Sequence, residues 1–228
     1  MNSQRNEQLE IEILDKVWNK IEEDRSAQWP GVTNLIYCLT KAYWERTIGR
    51  PKPNRKTILN FVTGLVFEKA LISFWQGDEG LSGEYEGIFY HIDGNYMELA
   101  IEDLDVMEFK STRQATHKGT VKADDKRLVT VDDYSKFWLQ QVAAYAYVKK
   151  RYTAKLAVLH IIPPELLAWD IEFTEADLIS NWMMLQSRRT DLIHAVDTGN
   201  PPKPFTTNQE WECNNCVWLV LCNARKDG

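Results

Sequence analysis

Apolar residues follow a helical period in some stretches of this chain and alternate with polar residues in others. Residues 5–25 carry apolar side chains three and four positions apart, which predicts a helix. A second helix is predicted from an N-cap at Thr33, and a third over residues 57–75. Pro51 and Pro53 indicate a linker between the second and third helices.

Alternation replaces the helical period in the middle of the chain. Residues 88–97 alternate apolar and polar positions, and 105–111 is predicted as a short buried strand. Residues 112–133 are polar and basic, which predicts a mobile segment. The remaining predicted elements are a helix over 136–150, strands over 156–162 and 167–173, and a helix over 175–196. This order predicts an α/β fold with a mixed central sheet flanked by helices.

Composition indicates a protein with a substantial core. The chain has 228 residues, of which 44% are hydrophobic, with nine Trp. We divide it into an N-terminal helical region over 1–56, a core over 57–200 and a C-terminal segment over 201–228. The polar N-terminus lacks the apolar run of a signal peptide, and no stretch has the ~18 apolar residues of a membrane span. We therefore expect a cytoplasmic protein without a membrane partner.

The four cysteines are unevenly spaced. Cys38 stands alone near the N-terminus, whereas Cys213, Cys216 and Cys222 lie close together near the C-terminus. This spacing suits a thiolate-bound metal site that joins the two ends of the chain, holding either an iron–sulfur cluster or a structural zinc. The alternatives are two disulfides or inert buried thiols.

Two charged residues flank Phe109 inside the strand predicted over 105–111. Side chains alternate along a strand, so Glu108 and Lys110 lie on the same face. Charged groups in a largely apolar strand are costly unless they are paired or bound to a metal. The alternative is a solvated face on which the two residues form a surface ion pair.

Two further acidic residues are candidates to join Glu108 at a metal site. Asp93 lies in the preceding strand, and a hairpin would bring it to Glu108; otherwise it is a turn residue. Glu68 lies on the apolar face of the third helix, one turn after Gly64, or else at the edge of the apolar stripe. Carboxylates placed in this way suit Mg²⁺ or Mn²⁺. Beside them Lys110 could orient an attacking water and offset charge on a phosphate.

A Gln-x3-Tyr pair, Gln141 and Tyr145, lies in the helix predicted over 136–150. A helix with Gly-x3-Glu, a strand with Asp, a strand with Glu-Phe-Lys and a helix with this pair follow one another along the chain. In this order the chain resembles the PD-(D/E)xK nucleases of the RecB type. The resemblance covers roughly residues 30–224 and implies a restriction-endonuclease-like nuclease core over 57–200.

The cysteines narrow this resemblance. Cys38 before the core, with Cys213, Cys216 and Cys222 after it, is similar to the CRISPR-associated RecB-like exonucleases, the fourth Cas protein type, and to the AddB nuclease domain. In those groups four such cysteines bind an iron–sulfur cluster, so the resemblance implies a cluster here, of the 4Fe–4S type. Glu68 stands where the CRISPR-associated group usually has His.

The resemblance also implies an activity and a role for each candidate residue. The activity is an exonuclease that hydrolyses DNA phosphodiesters with Mg²⁺ or Mn²⁺, acting on single-stranded ends. Its context is CRISPR spacer acquisition, with CRISPR adaptation proteins as partners, or DNA recombination and repair. The implied roles are Asp93 and Glu108 as main metal ligands, Glu68 as an accessory ligand, Lys110 as the water-orienting group, and Gln141 and Tyr145 as positioning residues.

The charge distribution bears on DNA contact. The net charge of −6 gives no broad basic surface of the kind that nucleic-acid-binding proteins often carry. Basic residues are nevertheless concentrated in the polar segment, and we predict phosphate contacts there from Arg113, Lys118, Lys122, Lys126 and Arg127. The alternatives are a solvated charged face and, for the whole protein, a non-catalytic DNA-binding or scaffold subunit. Tyr37, Tyr43 and Trp44 near Cys38 could stack bases, although core packing is favoured.

Overall fold

A computed structural model describes most of the chain. The described residues are 7–25, 29–75, 81–92, 94–97, 104–112, 117–118, 127–162, 164–204, 210–214 and 216–226. At Glu68, Lys118 and Arg127 it describes the backbone alone. Asp93, Arg113, Lys122 and Lys126 lie outside the described residues.

The bounds of the long helices agree with those predicted from the apolar periodicity, whereas the short helices differ from the prediction. They are α1 (Glu7–Arg25), α2 (Val32–Ile36), α3 (Leu39–Thr47), α4 (Arg55–Trp75), α5 (Lys136–Lys149), α6 (Glu175–Thr198), α7 (Glu210–Asn214) and α8 (Leu219–Lys226). The prediction of a single helix from Thr33 is wrong, because the helical backbone is interrupted at Tyr37 and Cys38, between α2 and α3. The N-cap of α2 is Gly31, whose amide donates to Asn34 Oδ1 over 2.9 Å.

The described strands form three sheets. They are β1 (Ser82–Tyr85), β2 (Ile88–His91), β3 (Gly94–Met97), β4 (Leu104–Thr112), β5 (His117–Lys118), β6 (Arg127–Leu128), β7 (Thr153–Ile161) and β8 (Pro164–Glu172). The central sheet has the order β3-β4-β7-β8, with β4 and β7 parallel and the other neighbours antiparallel. β1 pairs with β2 and β5 with β6 in two small sheets. The molecule is therefore a mixed α/β protein with a mixed sheet flanked by helices.

The single strand predicted over 88–97 is two strands in different sheets. β2 turns back onto β1 through Glu86 and Gly87, which both have positive φ angles, 48° and 79°. The φ angle of 79° at Gly87 favours glycine, because residues with a side chain rarely adopt it. β3 then pairs with β4 in the central sheet. The pattern predicted extended structure in both halves but could not show this change of partner.

The main core lies on one face of the central sheet, against α2, α3, α5 and α6. Val106, Leu156 and Val158 face it from the strands. Met107 and Phe109 lie on the opposite face, as strand alternation requires, and pack with Ala157. α4 contacts β4, and it also packs on α1 through Ile58 and Trp18. No helix in the described part of the chain is long and apolar enough to cross a bilayer.

Candidate functional site

Glu108 and Lys110 form an ion pair in the middle of β4. The ammonium of Lys110 contacts Glu108 Oε1. Glu108 is fully buried, whereas the side chain of Lys110 is 20% exposed. The pair is therefore not a surface ion pair, because its carboxylate has been removed from water. Such a group is tolerated when charge-assisted hydrogen bonds compensate for the lost hydration.

The strand that follows Asp93 pairs with the strand that holds Glu108. In the antiparallel register Gly94 is opposite Met107, and these are the residues next to Asp93 and Glu108 in sequence. The structure thus contains the strand pair on which the predicted carboxylate site depends. Asp93 itself lies outside the described residues, so its part in the site stays a prediction.

Glu68 lies on α4, which contacts β4, and only its backbone is described. One turn earlier, Gly64 approaches Ser111, and a Cβ added there would lie 3.6 Å from Ser111 Oγ. That distance is ordinary contact, so a methyl group would fit and glycine is not sterically required. Ser111 belongs to the face of β4 opposite Glu108 and Lys110. The role of Glu68 as an accessory ligand stays a prediction.

Gln141 and Tyr145 form a hydrogen-bonded pair on α5. Gln141 Nε2 donates to the Tyr145 hydroxyl over 2.9 Å, and both side chains are buried. They can meet because residues four apart lie on one face of a helix. α5 begins at an N-cap on Ser135, whose hydroxyl accepts from the amide of Phe137, and it packs on both β4 and β7. The helix therefore brings this pair to the face of the sheet that carries Glu108.

Two of the predicted basic residues lie opposite each other in a small hairpin. Lys118 of β5 pairs with Arg127 of β6, as backbone positions. No strand was predicted in this segment. The mobility predicted for residues 112–133 and the predicted phosphate contacts are not tested by the structure.

All four cysteines line one cavity. Cys38 is the N-cap of α3, Cys213 lies on α7, Cys216 precedes α8 and Cys222 lies on α8. Every one is a free thiol, so the disulfide alternative is not what the structure shows. Among the described residues, no three His, Cys, Asp or Glu side chains are grouped to hold one metal ion. Thiols from both ends of the chain therefore line one cavity, but in the described part of the chain they are not grouped around a single metal position.

Two thiols of this cavity, those of Cys213 and Cys216, have raised pKa values. Burial raises the pKa of Cys213, and the nearby charges of Cys38, Glu212 and Cys216 raise it further. Burial also raises the pKa of the Cys216 thiol, although the amide of Trp218 and the charge of Lys41 act in the opposite direction. A metal that binds thiolates must displace these protons, so its binding is coupled to pH.

Two charged residues beside the cavity were missed by the sequence analysis. Glu212 is buried, and its Oε1 accepts the amide N–H of Cys38 over 3.0 Å. Arg188 of α6 donates to the carbonyl oxygens of Leu35 and Tyr37. Arg188 could have been recognised, because it lies three residues after one apolar residue of the helix stripe and four before the next. Glu212 carried a weaker signal, its position immediately before Cys213.

Burial shifts the basicity of this arginine. Desolvation lowers the pKa of Arg188, while the charges of Cys38, Glu212 and Asp191 partly oppose that shift. Its guanidinium is thus held inside the protein near the cysteine cavity.

A second buried polar pair lies at the end of the neighbouring strand. His160 is fully buried on β7, opposite Thr112 in the parallel register, and its Nε2 lies 2.8 Å from the Tyr134 hydroxyl. Burial, with the charges of Asp133 and Glu165, raises the pKa of Tyr134 to about 12. This pair was also missed, since its two residues are distant in sequence and lie on different elements.

A cleft of about 240 Å³ opens where β4 and β7 end. Its lining is Asn60 and Thr63 of α4, Ser111 and Thr112 of β4, and Ile161 of β7. Most of these side chains are uncharged and polar. One of them, Ser111, is the residue that follows Lys110 in sequence. The carboxyl ends of parallel strands are the usual ligand-binding edge of an α/β sheet.

Comparison with known proteins gives information on the fold. No protein-family model matches the chain, and no curated protein matches it. A solved crystal structure, that of SSO0001, is similar with a TM-score of 0.54 and 14% sequence identity. The match covers 95% of this chain and 97% of that chain. At this identity the similarity shows a shared fold of the mixed α/β type described above.

Proposed function

We propose that this protein is a metal-dependent deoxyribonuclease of the PD-(D/E)xK type with a restriction-endonuclease-like core. The observation that carries the proposal is the fully buried carboxylate of Glu108 paired with Lys110 on a central strand. An acid and an amine held together away from water are costly to keep, which favours a functional reason for their position. The Gln141–Tyr145 pair on α5, which covers the same face, adds to this argument.

The residues around Glu108 fit a hard divalent cation. Glu108 would hold Mg²⁺ or Mn²⁺ together with Asp93, and with Glu68 as an accessory ligand. The bound ion would supply Lewis-acid activation of a phosphodiester and its attacking water. Lys110, freed from its pairing with Glu108, would orient that water and offset charge that develops on the phosphate. Gln141 and Tyr145 would position the nucleic acid or Lys110.

We propose that the four cysteines of this cavity hold an iron–sulfur cluster. Their thiols come from both ends of the chain and line one space. A structural zinc needs four sulfur atoms about 2.3 Å from one point, whereas the thiolates of a 4Fe–4S cluster bind different iron atoms. The spacing of the cysteines along the chain, which resembles that of the iron–sulfur nucleases of the RecB type, is what supports the cluster in this proposal. Cys38, Cys213, Cys216 and Cys222 would be its ligands.

We propose single-stranded DNA ends as the substrate. The β5–β6 hairpin carries Lys118 opposite Arg127, and the surrounding segment contributes further basic residues for phosphate contact. CRISPR adaptation proteins are the proposed partners, in spacer acquisition or in a related recombination and repair step.

A cleavage assay tests this function. Anaerobically purified protein is incubated with end-labelled single-stranded DNA and Mn²⁺ or Mg²⁺, with EDTA as the control. We expect shortening of the DNA from an end that EDTA abolishes. Binding of the DNA without any metal-dependent cleavage would reject the nuclease and support a DNA-binding or scaffold subunit.

A further inference from the structure

One helix and the ends of two parallel strands surround the cleft of about 240 Å³. Ser111 and Thr112 line it from the end of β4, and Ile161 lines it from the end of β7. Asn60 and Thr63 line it from α4, where residues three apart lie on one face of the helix. Pockets for drug-sized molecules have volumes of roughly 300–1,000 Å³, so this cleft suits a smaller ligand.

The walls of the cleft are fixed by contacts on two sides. Thr112 is opposite the fully buried His160 in the parallel register, and His160 Nε2 lies 2.8 Å from the Tyr134 hydroxyl. On the other side α4 approaches β4, since a Cβ added at Gly64 would lie 3.6 Å from Ser111 Oγ. Both walls are regular elements, and sites on helices and strands hold their geometry better than sites on loops. These contacts favour a cleft that is formed before a ligand binds.

The polar groups of the lining offer both donors and acceptors. The amide of Asn60 has both, and the hydroxyls of Ser111 and Thr112 can serve as either. The hydroxyl of Thr63 donates to the carbonyl oxygen of Leu59 over 2.8 Å, so toward a ligand it is an acceptor. A phosphate or carboxylate is bound most strongly by Arg or Lys, and neither is among the described residues of the lining. The edge of a nucleobase, which carries donors and acceptors together, is a better match.

The cleft adjoins the candidate nuclease site. Lys110 directly precedes Ser111, and Thr112 lies on the same face of β4 as Lys110, about 7 Å further along the strand. A phosphate beside Lys110 and a base in the cleft can therefore belong to the same nucleotide or to neighbouring ones.

We propose that this cleft binds one nucleobase of single-stranded DNA. Asn60 and Thr63 contact the edge of the base, and Ile161 provides an apolar contact for its plane, as apolar side chains do in pockets for unstacked bases. The inference rests on the proposed nuclease function for the phosphate beside Lys110, and on the lining of the cleft alone for the binding of a base. A nucleotide next to the cleaved bond is then recognised by its base as well as by its phosphate.

Single-stranded DNA with an abasic residue tests this site, because that residue keeps its sugar and phosphates and lacks only the base. The abasic residue is placed at successive positions from either end, and cleavage with Mn²⁺ is measured for each DNA. We expect kcat/KM to fall about 10-fold at one position, within the range for loss of one well-made contact to a base.

Two variants connect this loss to the cleft. Asn60→Leu and Thr63→Val keep the size of the side chain but remove the amide or the hydroxyl. Each should lower kcat/KM on intact DNA and show a smaller abasic penalty than wild type, because part of the contact is already missing. Leu59→Ala is the matched control, since Leu59 precedes Asn60, is 44% exposed and lies outside the described lining. It should keep the wild-type kcat/KM and the full penalty. Melting temperatures check the fold of each variant.

A binding measurement separates this inference from the proposed function. If the wild-type protein does not cleave DNA, the nuclease proposal fails, and the Kd of the same DNAs, measured by fluorescence anisotropy without added metal, decides the inference. An abasic penalty in Kd that is smaller in Asn60→Leu would then support a base site in a DNA-binding protein. In whichever assay applies, the absence of a penalty at every position would overturn the base site. An equal penalty in wild type and Asn60→Leu would overturn it as well.

Discussion

Glu108 and Lys110, two residues apart on β4, share an ion pair in which the carboxylate is fully buried and the ammonium is partly exposed. This asymmetry gives the two groups different consequences when they are changed. Removal of the ammonium affects a group at the edge of the buried region, whereas removal of the carboxylate affects the centre of the sheet. Because removal of either group leaves the other without this partner, a test of chemistry at Lys110 needs the melting temperature of the variant as a folding control.

Lys110→Ala should reduce metal-dependent cleavage by about 10² or more, the scale for loss of one transition-state stabiliser. DNA binding, measured by fluorescence anisotropy, and iron content should be close to wild type. Lys155→Ala is the matched control, because Lys155 is also a sheet lysine in an ion pair, with Asp170 at 2.6 Å. Wild-type cleavage by Lys110→Ala would show that the proposed active site is wrong.

Asp93→Ala should also lose cleavage, but through weaker binding of the divalent cation. Higher Mn²⁺ should therefore restore part of the rate, because added metal compensates for a lost ligand. No metal concentration should restore Lys110→Ala, which lacks a positioned cation. Titration of activity against Mn²⁺ for both variants makes the comparison. Equal rescue of the two would contradict the separate roles assigned to them.

Cys216→Ser should remove the brown colour and the broad absorbance near ~400 nm that an iron–sulfur cluster gives. The melting temperature should fall as well, because metal binding is coupled to folding. Iron and zinc are measured in anaerobically prepared wild-type protein as the reference. One zinc per chain with no iron would reject the cluster and favour a structural zinc.

Tyr145→Phe removes the hydroxyl that accepts from Gln141 Nε2 inside the core. A buried donor that has lost its acceptor costs about 1–3 kcal/mol, so the free energy of unfolding in urea should fall by that order. The double change Gln141→Leu with Tyr145→Phe should cost less than the sum of the two single changes, since both partners are then apolar. Strict additivity would show that the two side chains do not interact energetically in the folded protein.

Alkaline unfolding should report on Tyr134. Its pKa is raised from the usual 10.0 to about 12 in the folded state, so the folded protein keeps a proton that the unfolded chain releases. This contribution to stability is complete below pH 10 and is lost as the pH rises from 10 to about 12. Tyr134→Phe should therefore show a flatter dependence of unfolding free energy on pH in that range. Identical slopes for both proteins would contradict the shift.

Local features of the sequence were sufficient for the long elements. The period of the apolar residues predicted α1, α4, α5 and α6 to within a few residues, because the buried residues of a helix recur every three or four positions along the sequence. The same reasoning selected Glu108, whose charge interrupts an apolar strand, and the structure places that carboxylate at the centre of the sheet. All four cysteines line one cavity, and the metal site predicted from their spacing stays a prediction.

Tertiary structure decided what depends on contacts between distant segments. The split of 88–97 into two strands follows from different pairing partners, β1 for one half and β4 for the other, which no local pattern encodes. Arg188 and Glu212 acquire their roles only when α6 and α7 fold against residues 35–38. Sequence periodicity records which side of an element is buried, whereas the partner that covers that side is selected by packing and hydrogen bonding across the whole chain.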